Sequence, residues 1–119
     1  MSEIRANTIS AANGTGPVTL TKQSAAKAFG RTTGVYTGLL GDSLNASSII
    51  DDATGSATIT FTNSFSSSNY SPFGTVMATS GKICTCASQA TGNANFRAHD
   101  DDGSDSDNNF TFCILGDLA

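Results

Sequence analysis

The segment SATITFTN at 56–63 sets Ile59 and Phe61 on one side of an extended chain and Thr58, Thr60 and Thr62 on the other. That two-residue period is a strand signal, and it describes a sheet with one face on a core and one in water. NNFTFCILG at 108–116 repeats it, with Phe110, Phe112 and Ile114 opposite Thr111, Cys113 and Leu115, so both faces of this second strand can be covered. No stretch sustains heptad spacing, which removes a coiled-coil stalk from the possible architectures.

Small polar residues make the same point from another side. Ser, Thr, Asn and Gly supply nearly half of the 119 residues, there is a single Glu, and only 13% of the chain is charged. Solubility then rests on hydroxyls and amides, which crowd together without repulsion and suit a subunit packed among neighbours. A chain of this length is one domain, able to bury roughly two thirds of its unfolded surface in one core. No apolar run reaches the ~20 residues that span a bilayer, and MSEIRANTIS has neither the basic start nor the apolar stretch of a secretory signal, so no membrane insertion and a cytosolic origin are expected.

The net charge of −4 is unevenly spread. Through residue 31, Arg5, Lys22, Lys27 and Arg31 against Glu3 leave +3; beyond it, Lys82 and Arg97 against nine Asp leave −7. The halves attract, either within one molecule or between a terminal segment and an adjacent subunit. So few scattered basic residues argue against nucleic acid as a partner.

Along the chain, NTISAANGTGPVTLT has only short apolar pieces and a Gly-Thr-Gly-Pro interruption, and residues 1–21 are read as an extended arm preceding a domain at 22–119. KQSAAKAFG at 22–30 fits helix or strand and is read as strand. VYTGLL at 35–40 is expected to be a strand, and SLNASSII at 43–50 to turn through DDATG into the 56–63 strand as a hairpin. YSPFGTVMATS at 70–80 is a strand broken near Pro72, which belongs at a strand start or a sheet edge. Ser80-Gly81 is read as a hairpin turn into KICTCASQ at 82–89, and ANFRAHD at 94–100 follows TGN. Strands at this spacing predict an antiparallel β-sandwich, Greek-key or jelly-roll-like.

Chemistry-bearing motifs are sparse. His99 is the sole histidine and reads as a loop residue beside Asp100, so a Ser-His-Asp arrangement has only one position to draw on. NGTGPV lacks the lysine of a phosphate loop, and Pro17 removes a backbone donor. Cys84, Cys86 and Cys113 are odd in number and read as reduced, buried thiols. HDDDGSDSDNN at 99–109 offers Asp100, Asp102, Asp105 and Asp107 as candidate oxygen ligands for calcium around a bend at Gly103, without EF-hand spacing. The same loop can instead be a solvated tip or contact a basic patch, such as the arm of a neighbouring subunit. No other cofactor is implied.

The segments QSAAKAF at 23–29 and SLNASSIIDDATGSATITFTNSF at 43–65, with Tyr70 soon after, resemble a family of small proteins encoded by tailed bacteriophages. There, a QSAAKAW-like motif precedes a hairpin of the form SFNVSS…D.GTG.YTVNFTNAM. Phe29 stands where that family has Trp, and the Asp-rich loop is a departure. The resemblance implies a virion component assembled in the bacterial host cytoplasm: a non-enzymatic, tail-fibre-like or adsorption-apparatus module, or alternatively a capsid decoration protein cementing the head shell. It also implies a homotrimer among other virion proteins, with a host surface receptor as a further partner. On that reading Arg5, Asn7, Ile9, Val18 and Leu20 anchor the arm, and Tyr36, Tyr70 and Phe73 are candidates for a loop contact or receptor surface.

Overall fold

The computed structural model describes residues 26–78 and 80–119. Seven strands form: β1 (Ala26–Arg31), β2 (Ala46–Ala53), β3 (Ser56–Phe61), β4 (Ser71–Val76), β5 (Lys82–Ala90), β6 (Asn93–Asp100) and β7 (Phe110–Leu115). They pair antiparallel in two sheets, ordered β1-β7-β4 and β2-β3-β6-β5, which pack as a β-sandwich. Among the described residues no helix is long and apolar enough to cross a membrane. The expected arm at 1–21, with Arg5, Asn7, Ile9, Val18 and Leu20, lies outside the described residues.

The alternation that predicted β3 and β7 is the alternation that builds the core. Ala57, Ile59 and Phe61 of β3 and Phe110, Phe112 and Ile114 of β7 point inward, meeting Ala94, Phe96 and Ala98 of β6, and all are buried. Small residues stand beside large ones. Ala57 is registered against Phe96 and Ile59 against Ala94, while Phe112 lies between Gly30 of β1 and Gly74 of β4. A Cβ on Gly74 would collide with Cys84 Sγ across the sandwich, so β4 and β5 approach more closely than a side chain there would allow. By connectivity this is the seven-strand Greek-key order of an immunoglobulin constant-type sandwich, with the last strand of the three-stranded sheet supplied from the start of the chain.

Edge management is visible in the backbone. Met77 N–H donates to Asn109 O at 2.8 Å, so the two-residue alternation of an antiparallel ladder turns Pro72 and Gly74 away from β7. Proline therefore sits on the outer edge of β4, where no ladder donor is lost. The free edge of β1 is closed by the segment after it: Phe29 and Leu44 exchange backbone bonds at 3.1 and 2.9 Å, and Leu40 N–H donates to Arg31 O at 2.7 Å.

Two expectations are corrected. Residues 35–40 are not a strand. Tyr36 adopts φ 50°, its N–H donates to Thr33 O at 3.2 Å, and Thr33 Oγ1 accepts from Thr37 N–H at 3.0 Å. The hydroxyl-stabilised turn between Gly34 and Gly38 drives the Tyr36 ring inward against Phe110. Residues 80–81 are likewise not a hairpin turn, because β4 pairs with β7 and β5 with β6, and the connection between them crosses from one sheet to the other. The hairpin of β2 and β3 through Gly55 is as expected.

Candidate assembly surface

Directly opposed residues of antiparallel strands project to the same face. Phe29 of β1 and Phe73 of β4 both stand opposite Cys113 of β7, and Leu44 stands opposite Phe29. The row Leu44–Phe29–Cys113–Phe73 therefore crosses the whole outer face of the three-stranded sheet. Its members are well exposed at 44% for Leu44, 39% for Phe29 and 58% for Phe73, with Cys113 half-buried. Beside it a depression of about 170 Å³ is lined by Phe73, Gly74, Thr75, Thr111, Phe112 and Cys113. A contiguous apolar row, flanked by Thr75, Thr111 and, at the end of β1, by Arg31, marks a surface built to be covered. The sequence reading singled out Phe73 but had no signal for the row, which comes from four segments brought together only by pairing.

The other two surface aromatics are corrected. Tyr36 and Tyr70 are 1% and 6% exposed, so neither presents a ring to a receptor. Tyr70 packs against Phe61 and Phe65 with ring centroids 5.9 and 4.6 Å away. Its hydroxyl donates toward Ala90 O at 3.1 Å and Asn93 O at 2.7 Å, tying the start of β4 to the β5–β6 hairpin.

The acidic loop is tied to its own domain. Asp100 pairs with Lys82, Arg97 Nη2 donates to Asp105 Oδ1 at 2.6 Å, and Gly55 N–H donates to Asp107 Oδ1 at 2.6 Å. Asp102 Oδ1 accepts from Ser104 N–H at 2.9 Å, a bond that holds the exposed Asp102 carboxyl below its ordinary range. The four carboxylates proposed for calcium thus have four separate partners. Among the described residues no group of three or more His, Cys, Asp or Glu side chains is placed to hold a metal ion. Within this chain Lys82 and Arg97 are basic partners of Asp100 and Asp105. His99 is a half-buried residue of β6, not a loop residue, with Nδ1 3.1 Å from Asp100 O.

Cys84 and Cys86 lie on the inner side of edge strand β5 and, like Cys113, are half-buried where full burial was expected. Burial pushes the Cys84 thiol up from 9.0 to about 12 and also raises Cys86, so neither is a ready nucleophile or metal ligand at neutral pH. Burial likewise raises the Tyr70 hydroxyl from 10.0 to about 12. In both Cys84 and Tyr70 the folded chain holds its proton more tightly than the unfolded one. The stability they contribute is complete below pH 9 for Cys84 and below pH 10 for Tyr70, and is lost as pH rises toward 12. Thermal melts should fall through that window, with Cys84→Ser removing the early part of the loss and Tyr70→Phe the later part. A melting temperature flat from pH 9 to pH 12 would contradict the assignment.

No protein-family model, curated protein or solved structure matches the chain.

Proposed function

We propose that the chain is a non-enzymatic structural component of a tailed-bacteriophage particle: a tail-fibre-like or adsorption-apparatus β-module, attached through its N-terminal arm and assembled in the host cytoplasm. The observation that carries an assembly role is the exposed row Leu44–Phe29–Cys113–Phe73, an apolar band on a domain with little charge to keep copies apart. The phage setting is supported by the sequence resemblance at 23–29 and 43–65. A non-enzymatic role is supported by thiols held protonated and by Asp100, Asp102, Asp105 and Asp107 each committed to a local partner. Counting copies in intact particles tests placement, since a fibre contributes far fewer copies than a shell.

A second reading, capsid decoration, is favoured by the burial of Tyr36 and Tyr70, which leaves Phe73 as the one exposed member of the three candidate receptor aromatics. A cement protein needs broad contact with neighbours more than a distal binding surface. A shell-like copy number would select this reading.

The assembled unit is expected to be a homotrimer, because closed cyclic symmetry covers faces and edges that a lone sandwich leaves open. Light scattering should return three times the chain mass, and a monomer at micromolar concentration would refute it. Deleting residues 1–20 should leave a folded domain that no longer enters the particle. Normal incorporation of the truncated chain would place the anchor elsewhere, and unfolding would make the segment part of the sandwich.

A further inference from the structure

We propose that the outer face of the three-stranded sheet is the seat for the N-terminal arm of a neighbouring copy, with Val18 and Leu20 laid against the row Leu44–Phe29–Cys113–Phe73. The inference rests on the arm-anchored reading above and names the surface the arm takes.

The face supplies an apolar band and a socket. Three of the four row residues are exposed large hydrophobics, and Leu115 adds a half-buried apolar side chain two residues from Cys113 on the same side of β7. Their neighbours on the face are hydroxyls, Ser71 and Thr75 of β4 and Thr111 of β7, so the β7–β4 part of it carries no charge. The depression of about 170 Å³ beside Phe73 and Cys113 has room for a branched aliphatic side chain.

The chain ahead of the described residues matches that surface in chemistry and in spacing. Twenty-five residues precede Ala26, the first residue of β1, which is itself an edge strand of this sheet. Residues 6–21 contain no charged side chain. Val18 and Leu20 stand two residues apart, so an extended chain presents both on one side about 7 Å apart, the same separation as Cys113 and Leu115.

A neighbour's arm fits better than the molecule's own. In the molecule's own chain only residues 21–25 separate Leu20 from the start of β1, whereas a neighbour's arm is not tethered to the sheet that it covers. Twenty-five extended residues reach at most about 80–90 Å, enough to cross to a neighbouring domain of this size. Arm-to-face contacts are heterologous, and such contacts close into a ring when the rotation permits, which is how a trimer would form from them.

The test uses the full-length chain carrying Leu20→Cys, prepared in isotopically light and heavy forms, mixed while dissociated, reassembled and exposed to a mild oxidant. Mass spectrometry should find a disulfide between positions 20 and 113, in peptides that join light to heavy chains, and Cys113→Ser should abolish it. Linkage confined to one isotopic form means that the arm covers its own sheet and overturns the proposal. A Cys113–Cys113 link overturns it in favour of two sheets packed face to face. An oligomer that enters particles but forms no link to position 113 also overturns it, leaving the structural role intact. A monomer that stays out of particles removes the structural role as well. In a second variant, Phe73→Ser should lower the scattering mass without shifting the melting temperature of the domain, and an unchanged mass would count against this face.

Discussion

Replacing Phe96 with Ala is expected to destabilise the domain by about 3–5 kcal/mol, the range for truncating a buried aromatic ring. Phe96 is completely buried on β6 and belongs to the four-stranded sheet, yet its ring centroid lies 5.7 Å from Phe110 and 5.9 Å from Phe112 of the other sheet. It is a principal bolt between the layers. Its cross-strand neighbours are Ala57 and Cys86, and a Cβ on Gly74 would come within 3.4 Å of its ring, so the surroundings are shaped to the ring. Domains of this size are stable by about 5–15 kcal/mol in total, so the loss is a large share of what holds the fold. Urea unfolding monitored by circular dichroism measures it, and a loss below about 1 kcal/mol would mean that the core collapses around the vacancy. Phe73→Ala is the matched control: the ring is 58% exposed, and the expected change in monomer stability is within about 0.5 kcal/mol.

The contrast between those two phenylalanines shows which parts of the fold are legible along the chain. Burial on β3 and β7 is local information, because a residue's face in a strand is fixed by whether its position is odd or even, and Ile59, Phe61, Phe110 and Phe112 all obey that rule. The β2–β3 hairpin is legible for the same reason, since its turn residues stand between the strands they join. Pro72 announces an edge because its ring has no proton to give a second neighbour. Sheet partnership is different. Nothing within residues 70–90 says that β4 joins β7 and β5 joins β6, and a Ser-Gly pair between two strand-like stretches looks the same whether it closes a hairpin or crosses between sheets.

Tyr36 and Tyr70 mislead for a related reason. Each is a large amphipathic side chain in a polar, turn-rich stretch, where surface exposure is the default expectation. Tyr36 is turned inward by a local turn in which Thr37 N–H donates to the Thr33 hydroxyl, a signal present in the sequence but visible only once the turn is drawn. Tyr70 is held by two carbonyls that lie 20 and 23 residues away, on either side of a hairpin. The apolar row on the outer face is the least legible feature of all. Leu44, Phe29, Cys113 and Phe73 fall in four separate segments, and only the β1–β7–β4 register makes them neighbours.

Substituting Gly55 should cost about as much as emptying the core, through backbone and not through lost burial. Gly55 closes the β2–β3 hairpin at φ +69°, a conformation that costs a residue with a side chain about 1–3 kcal/mol in strain. Space is shorter still. A Cβ there would stand 2.5 Å from Ala98 O and 2.8 Å from Ser106 N, and both obstacles are backbone that cannot rotate aside. The same residue links three elements, because Ala98 N–H donates to Gly55 O at 2.7 Å and Gly55 N–H donates to Asp107 at 2.6 Å. Moving the turn to admit a methyl group therefore lifts the hairpin off β6 and releases the acidic loop, and each neutral hydrogen bond broken adds about 1 kcal/mol. Gly55→Ala is expected to lose roughly 3 kcal/mol or more from these effects together. Gly55→Asn separates the causes, since Asn tolerates positive φ but carries the same Cβ. Equal destabilisation of the two variants assigns the cost to the close approach of β6 and the loop, a much milder effect of Asn assigns it to the backbone conformation, and a wild-type melting temperature for Gly55→Ala would refute the contact geometry itself.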